Sequence, residues 1–226
     1  MPPAAPPPGR RPARRLTLSF DNGPFPSVTP GVLDVLARLG VTATFFVCGR
    51  DVVDPARRAI LTRAKAEGHR IGNHTQTHTI ELGTTDDPSV VEREIGDAQT
   101  ALGDLAESDR YFRPYGGGGI LGPRLLGRAA VRYLRDHRYT CVLWNSVPRD
   151  WEDPAGWPDR ARADIAQQDW TLLVLHDIPT GAMKALPTFL DRVLAEDTII
   201  VPDLPPACVP ITRGEITAEL APYVAA

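Results

Sequence analysis

The segment Leu16-Thr17-Leu18-Ser19-Phe20-Asp21-Asn22-Gly23-Pro24 reads as a strand that runs into a turn. Apolar and polar side chains alternate from Leu16 to Asp21, the period of a strand whose two faces meet different surroundings. Asn22-Gly23-Pro24 then stops it, since Asn-Gly and Gly-Pro are turn dipeptides. Thr29-Pro30 follows as an N-cap with proline in the first helical turn, and Gly40 closes that helix. Strand, turn and helix form a unit, and the chain repeats it.

Residues 41–47 are a second strand, and Asp54-Pro55 caps a helix running to Gly68. A short strand at 70–72 leads to a long helix opened by Asp87-Pro88. Its apolar residues Val90, Val91, Ile95, Ala98, Leu102 and Leu105 keep helical spacing. Strands follow at 111–115, 139–144, 171–176 and 198–201, separated by helices at 123–137, 159–168 and 186–195. Short apolar strands alternating with amphipathic helices imply a parallel sheet. A count of about seven strands favours a distorted (β/α) barrel, closed or nearly so, in a single α/β domain. No Gly-x-Gly-x-x-Gly follows the first strand, so a dinucleotide site lacks its phosphate loop.

The chain has 226 residues, enough for one α/β domain and too few for two ordinary ones with a linker. Its 25 basic and 28 acidic residues leave a formal charge of −3. That balance disfavours nucleic acid as a partner, because phosphate binding needs clustered Lys and Arg. No apolar run approaches the ~18 residues that span a bilayer, so no membrane is expected as a partner either. Residues 1–15 are nearly all Pro, Ala, Gly and Arg, and the expectation is a disordered tail ahead of a domain at 16–226. The arginine pairs at 10–11 and 14–15 lack the apolar stretch a signal peptide requires, which gives a cytoplasmic expectation. Three cysteines are too few and odd in number for a disulfide framework; Cys48 and Cys141 read as small buried hydrophobes.

In a (β/α) barrel, catalytic groups gather at the C-terminal ends of the strands. Here those ends carry Ser19 to Pro24, then His74-Thr75-Gln76-Thr77-His78, then Phe112-Arg113-Pro114-Tyr115-Gly116. Arg149-Asp150-Trp151 and Leu173-Val174-Leu175-His176-Asp177 complete the set. On a helix, His74 and His78 at i and i+4 would share one face with Cβ atoms about 5–6 Å apart, close enough to grip one ion. Zinc needs further ligands. Plainer readings stand beside these: a tight turn at 21–24, a salt-bridge arginine at 113, a core histidine at 176. His69 and His137 fall in no motif and read as ordinary surface residues.

The five segments, in this order, resemble the motifs of the polysaccharide deacetylase family, the carbohydrate esterase 4 or NodB-homology domain. The match runs from Leu16 to about Val201. The resemblance implies a metal-dependent hydrolase of C–N bonds that removes acetyl groups from N-acetylated sugars or oligosaccharides. By resemblance, Asp21 is the general base, Arg113 holds its carboxylate, His176 is the general acid and Asp150 tunes that histidine. His74, His78 and Asn22 correspond to the ligands of a divalent metal, zinc in the first instance. The Tyr115 amide corresponds to an oxyanion donor, Trp151 to a groove wall and Leu175 to the lining of the acyl-methyl pocket. The chemistry agrees: amide hydrolysis needs an activated water, a stabilised oxyanion and an acid for a poor leaving group.

Three departures bear on this. Where the family usually has a second aspartate, this chain has Asn22, a neutral and weaker donor. The metal is then held less tightly, or it is dispensable, as in allantoinase-like members that act on small cyclic amides. Arg113-Pro114-Tyr115 lacks one proline of the usual motif and runs into four glycines at 116–119, a close-approach loop or a flexible lid. The first aspartate of the fourth motif is also replaced, leaving Val147-Pro148-Arg149-Asp150-Trp151. The alternatives are an amidase on a small non-sugar substrate and a catalytically silent glycan-binding barrel.

Overall fold

The computed structural model describes residues 13–225. Most of the expected tail, residues 1–12, lies outside these. Its last part is corrected: β1 spans Arg14–Asp21, so Arg14 and Arg15 belong to the strand. Two contacts hold them there. Arg14 to Leu16 pair with a later strand, and the Arg15 guanidinium stacks 3.7 Å from the Trp170 ring centroid.

Seven parallel strands form as expected: β1, β2 (Thr44–Val47), β3 (Arg70–Asn73), β4 (Tyr111–Phe112), β5 (Thr140–Cys141), β6 (Trp170–His176) and β7 (Thr198–Ile200). Two short antiparallel strands, β8 (Ile211–Thr212) and β9 (Glu215–Ile216), extend the sheet beyond β5. The order is β6-β1-β2-β3-β4-β5-β8-β9. The barrel is only partly closed, by a single bridge between Ser146 and Leu173. β7 does not close it. It pairs instead with the first residues of β1, because β2 reaches only Ser19 to Asp21 and leaves that edge vacant. β4 and β5 are two residues each, shorter than expected, since Pro114 has no N–H to donate and Leu143 turns to pair with Cys208.

The helices are α1 (Thr29–Leu39), α2 (Gly49–Val52), α3 (Pro55–Ala66), α4 (Pro88–Val91), α5 (Ala98–Leu102), α6 (Arg128–Asp136), α7 (Trp157–Gln167) and α8 (Leu186–Ala195). Asp54 caps α3 by accepting from the amides of Ala56 and Arg57, and Asp87 caps α4 through Ser89. The expected long helix at 88–105 is interrupted. Glu92–Asp97 is a π-turn between α4 and α5, and the Asn73 side chain donates to the carbonyl of Ile95 within it.

The alternation in β1 divides the molecule. Leu16, Leu18 and Phe20 join Leu33, Leu36, Phe45, Leu173, Leu175 and Phe189 in the core between sheet and helices. Ser19 and Asp21 point the other way, into the barrel. The strand register then decides which chemistry meets: Asp21 pairs with Phe46 of β2 and with His176 of β6. All three cysteines are buried and free, and burial pushes Cys48 and Cys141 up to about 12. Among the described residues, no helix is long and apolar enough to cross a membrane.

Trp157 shows how the outer core is anchored. It is fully buried, its indole N–H donates to the Ala182 carbonyl at 3.0 Å, and its ring lies 4.8 Å from that of Phe189. Trp157→Ala is expected to cost about 3–5 kcal/mol in chemical denaturation, whereas a loss below 1 kcal/mol means that the site collapses around the change.

Candidate active site

Asp21, Asn22, His74, His78, Tyr115, Trp151 and His176 line one cavity of about 280 Å³ at the C-terminal ends of the strands. Seven of the ten residues singled out from the sequence therefore meet there, and Arg113 and Asp150 stand directly behind them. Leu175 does not. It lies on the opposite face of β6, in the core against the helices, while Val174 and Ile178 line the cavity. Successive strand residues alternate, so with His176 facing inwards it is Val174 that shares its side.

Arg113 carries the centre of the site. Its side chain is fully buried. One terminal nitrogen, Nη1, donates to Asp21 Oδ1 at 2.7 Å and to Ser19 Oγ at 2.9 Å. Nε and Nη2 donate to the carbonyls of Val142 and Leu143, each at 3.3 Å. Burial alone opposes ionisation of Asp21. The Arg113 guanidinium outweighs it, with help from His74 and His176, and the carboxyl is held below its usual range. Asp21 is thus a buried, ionised base.

His74 is fixed by the same residue. Its Nδ1 lies 2.9 Å from the Arg113 carbonyl, which only accepts, so the Nδ1 proton is donated there and Nε2 keeps its lone pair. That Nε2 is 3.5 Å from Asp21 Oδ2. The His78 ring is wedged between His74 and Tyr115, with centroids 4.7 and 4.3 Å away. Burial lowers His74 despite the pull of Asp21. Burial and then the neighbouring His74 push His78 down to about 3. Both rings are neutral at ordinary pH, the form that donates to a cation. Asn22, with φ of 73°, presents a buried Oδ1 that has no hydrogen-bond partner among the described residues. Two neutral imidazoles and an orphaned amide oxygen fit a divalent cation. Among the described residues no group of three His, Cys, Asp or Glu side chains suits one, as the third donor here is an amide.

The histidine pair follows β3 as expected, but helix geometry is not what joins it. Residues 74–78 form a loop after β3, in which Thr75 and His78 have φ of 65° and 55°. Asn73 Oδ1 accepts from the Thr75 amide, and the Thr75 hydroxyl accepts from the His78 amide. These bonds curl the loop so that the rings meet without helical spacing. His69 is also corrected: it is buried, and its Nδ1 accepts from the Ala43 amide. His137 is exposed as expected, stacked on Tyr133.

The opposite wall holds an acid. Asp150 is fully buried, with Oδ1 2.8 Å from His176 Nδ1 and Oδ2 accepting from the His176 amide at 2.9 Å. Burial works against the imidazolium, but the hydrogen bond and charge of Asp150, then Asp21 and Asp177, raise His176 above its ordinary value. Trp151 packs edge-on against the ring at 4.7 Å. Among the described residues no acceptor meets the Tyr115 amide. Glycines 116–119 form the rim. Glu81 accepts from the Gly117 amide, and the Trp144 indole donates to the Gly119 carbonyl. Gly118 and Gly119 sit at φ of 64° and 73°, and a Cβ on Gly119 would lie 2.8 Å from Val147. The run is a pinned rim, shaped by backbone that only glycine adopts freely.

Sequence reasoning missed Ser19 and Asp177. Ser19 shares the inward face of β1 with Asp21, and the strand period signals it. Asp177 follows His176, is fully buried and is pushed up to about 6 by burial. It accepts from the Thr29 hydroxyl, which in turn accepts from the Phe25 amide, tying the loop after β1 to the end of β6.

The sequence matches a family model for polysaccharide deacetylase over residues 9–141. A chitooligosaccharide deacetylase from Rhizobium leguminosarum bv. trifolii is 35% identical over 166 residues, 73% of this chain and 72% of that protein. A peptidoglycan-N-acetylglucosamine deacetylase from Bacillus cereus is 32% identical over 141 residues, 62% of this chain and 61% of its own length. In structure, the family 4 acetyl xylan esterase of Clostridium thermocellum, in complex with a cobalt ion, superposes with a TM-score of 0.66 at 25% identity. That match covers 83% of this chain and 87% of the esterase.

Because Asp150 favours the charged ring, its removal must lower the His176 midpoint. In Asp150→Asn, the His176 ring-proton titration followed by NMR is expected to move to lower pH; an unmoved midpoint means Asp150 is not what holds that proton.

Proposed function

This chain belongs to the polysaccharide deacetylase family, and from that premise we propose that it hydrolyses the acetamide of an N-acetylated amino sugar in a short glycan. The observation that carries the reading is a base and an acid set on facing walls of one cavity. Asp21 is kept ionised by Arg113, and His176 is kept charged by Asp150. Pairs of titratable groups pushed in opposite directions are how a site divides base and acid work.

Asp21 takes the proton of the attacking water, and Arg113 keeps the carboxylate aimed and ionised. The Tyr115 amide is free to donate to the oxyanion that forms as the acetyl carbonyl becomes tetrahedral. His176 delivers its Nε2 proton to the departing nitrogen, while Asp150 holds Nδ1–H and stabilises the charged ring before transfer. His74 Nε2, His78 and Asn22 Oδ1 are the residues that would hold a divalent cation, zinc in our reading. When bound, such an ion supplies Lewis acidity that lowers the pKa of water toward 7. Asn22 contributes no charge, so the two imidazoles carry more of the affinity than in members with a second aspartate.

The cavity volume of about 280 Å³ is at the small end for ligand pockets. Its walls include Tyr115, Trp144 and Trp151, against which the apolar face of a pyranose ring can lie. Val174 and Ile178, rather than Leu175, offer the apolar surface for the acetyl methyl. The relatives' substrates, chitooligosaccharide and peptidoglycan, both present N-acetylglucosamine, the unit this pocket suits.

Zinc-loaded protein is expected to release acetate and free amine from chitooligosaccharides. Asp21→Asn should lower kcat by about 10²-fold or more at unchanged zinc content. No amine release from either chitooligosaccharides or peptidoglycan fragments overturns the proposal. Asn22→Asp should tighten zinc binding in a chelator competition, and an unchanged affinity removes residue 22 from the ligand set.

A further inference from the structure

We propose that Glu94 is the positioning residue that sets the second metal ligand, His78, and so determines how tightly the site holds its ion. The inference rests on the metal reading given above. Glu94 is only 3% exposed, and among the described residues no cation lies within ion-pairing distance of it. A buried carboxylate without a counter-charge is costly unless hydrogen bonds compensate it. Both of its oxygens are committed to one residue. Oε2 accepts from the Thr77 amide at 3.0 Å and Oε1 from the Thr77 hydroxyl at 2.8 Å. Thr77 immediately precedes His78.

The loop it grips cannot hold itself in shape. Thr75 and His78 both adopt left-handed backbone, which β-branched and bulky residues disfavour. Such conformations persist only where the surroundings over-determine them. The near side is held by Gly49 and Arg50 of α2, whose amides donate to the carbonyls of Thr75 and Gln76, while the Arg50 side chain donates to the Thr77 carbonyl. Glu94 supplies the far side and is the only side chain among the described residues that accepts from the Thr77 amide.

The π-turn is what delivers it. Glu94, Ile95 and Gly96 are buried in succession, whereas a regular amphipathic helix would turn part of such a run outwards. The Ile95 carbonyl within the wider turn accepts from the Ala98 amide and also takes the Asn73 side-chain N–H at 2.9 Å, and Asn73 also orders Thr75. One helical irregularity thus reaches the histidine loop twice, through Asn73 and through Glu94. With Asn22 as a neutral third donor, the alignment of the two imidazoles is the main source of affinity left. A brace on His78 then matters more than it would beside a second carboxylate.

The test is zinc affinity by chelator competition, together with the visible spectrum of the cobalt-substituted protein. Glu94→Ala is expected to weaken zinc binding by about 10- to 100-fold and to alter the cobalt bands, while kcat at saturating zinc stays near that of the parent. Glu94→Gln should recover most of the affinity, since its carbonyl can accept from the Thr77 amide and the Thr77 hydroxyl can turn towards Thr79, 2.7 Å away. If Glu94→Ala fails to fold, Thr77→Val, which deletes only the hydroxyl donor, should weaken zinc in the same direction. Unchanged zinc affinity and cobalt bands in Glu94→Ala, or in Thr77→Val where the first does not fold, overturn the proposal. A parent protein that takes up no zinc in the same titration instead overturns the metal reading, and this inference with it.

Discussion

The site depends on one buried guanidinium. Arg113 reaches from the end of β4 across the barrel to Asp21 on β1, and three more of its N–H groups donate to Ser19 and to two carbonyls beyond β5. It lies 3.9 Å over the Phe46 ring, which excludes water from its face. A buried ion pair contributes little net stability unless its hydrogen bonds are met, and here every nitrogen has an acceptor. What the pair fixes is geometry. The Arg113 side chain sets the base, and the carbonyl of the same residue sets the tautomer of His74. Base and first ligand therefore move together.

The second half of the site is built on the same plan with the signs reversed. Asp150 is the buried carboxylate, and His176 is the cation it holds by both ring and backbone. The parallel register of β1 and β6 sets Asp21 across from His176, so two ion pairs face each other over one small cavity. Burial opposes both charges, and the fixed partners overcome it, pushing Asp21 down and His176 up. Behind them, the Asn73 and Glu94 contacts hold a histidine loop whose backbone is not self-supporting.

Much of this was legible in the sequence because it is local. The alternation from Leu16 to Asp21 named a strand with a polar inner face, and the Asp-Pro caps at 54–55 and 87–88 marked helix starts that the structure keeps. Seven parallel strands and the meeting of Asp21, His74, His78 and His176 follow from that order. What was not legible is non-local or conformational. An i, i+4 spacing looks the same in a helix and in a loop with two left-handed residues, so the spacing did not say which backbone carries the histidine pair. The strand period, applied backwards from His176, would have favoured Val174 over Leu175 as the cavity wall. Nothing in the spacing of residues 88–105 announced a π-turn, and so Glu94 was hidden on what read as a plain amphipathic helix. The place of β7 beside β1 depended on the unequal lengths of β1 and β2, which only pairing reveals.

The central claim is that the orphaned oxygen of Asn22 and the two neutral imidazoles form a cation site beside an Arg113-held base. The most direct measurement is anomalous diffraction at the zinc edge from crystals of the protein grown with zinc. The account predicts a single strong peak enclosed by His74 Nε2, the His78 ring and Asn22 Oδ1, with Asp21 still on Arg113. Crystals of protein that deacetylates a chitooligosaccharide yet show no anomalous density at that position would contradict it.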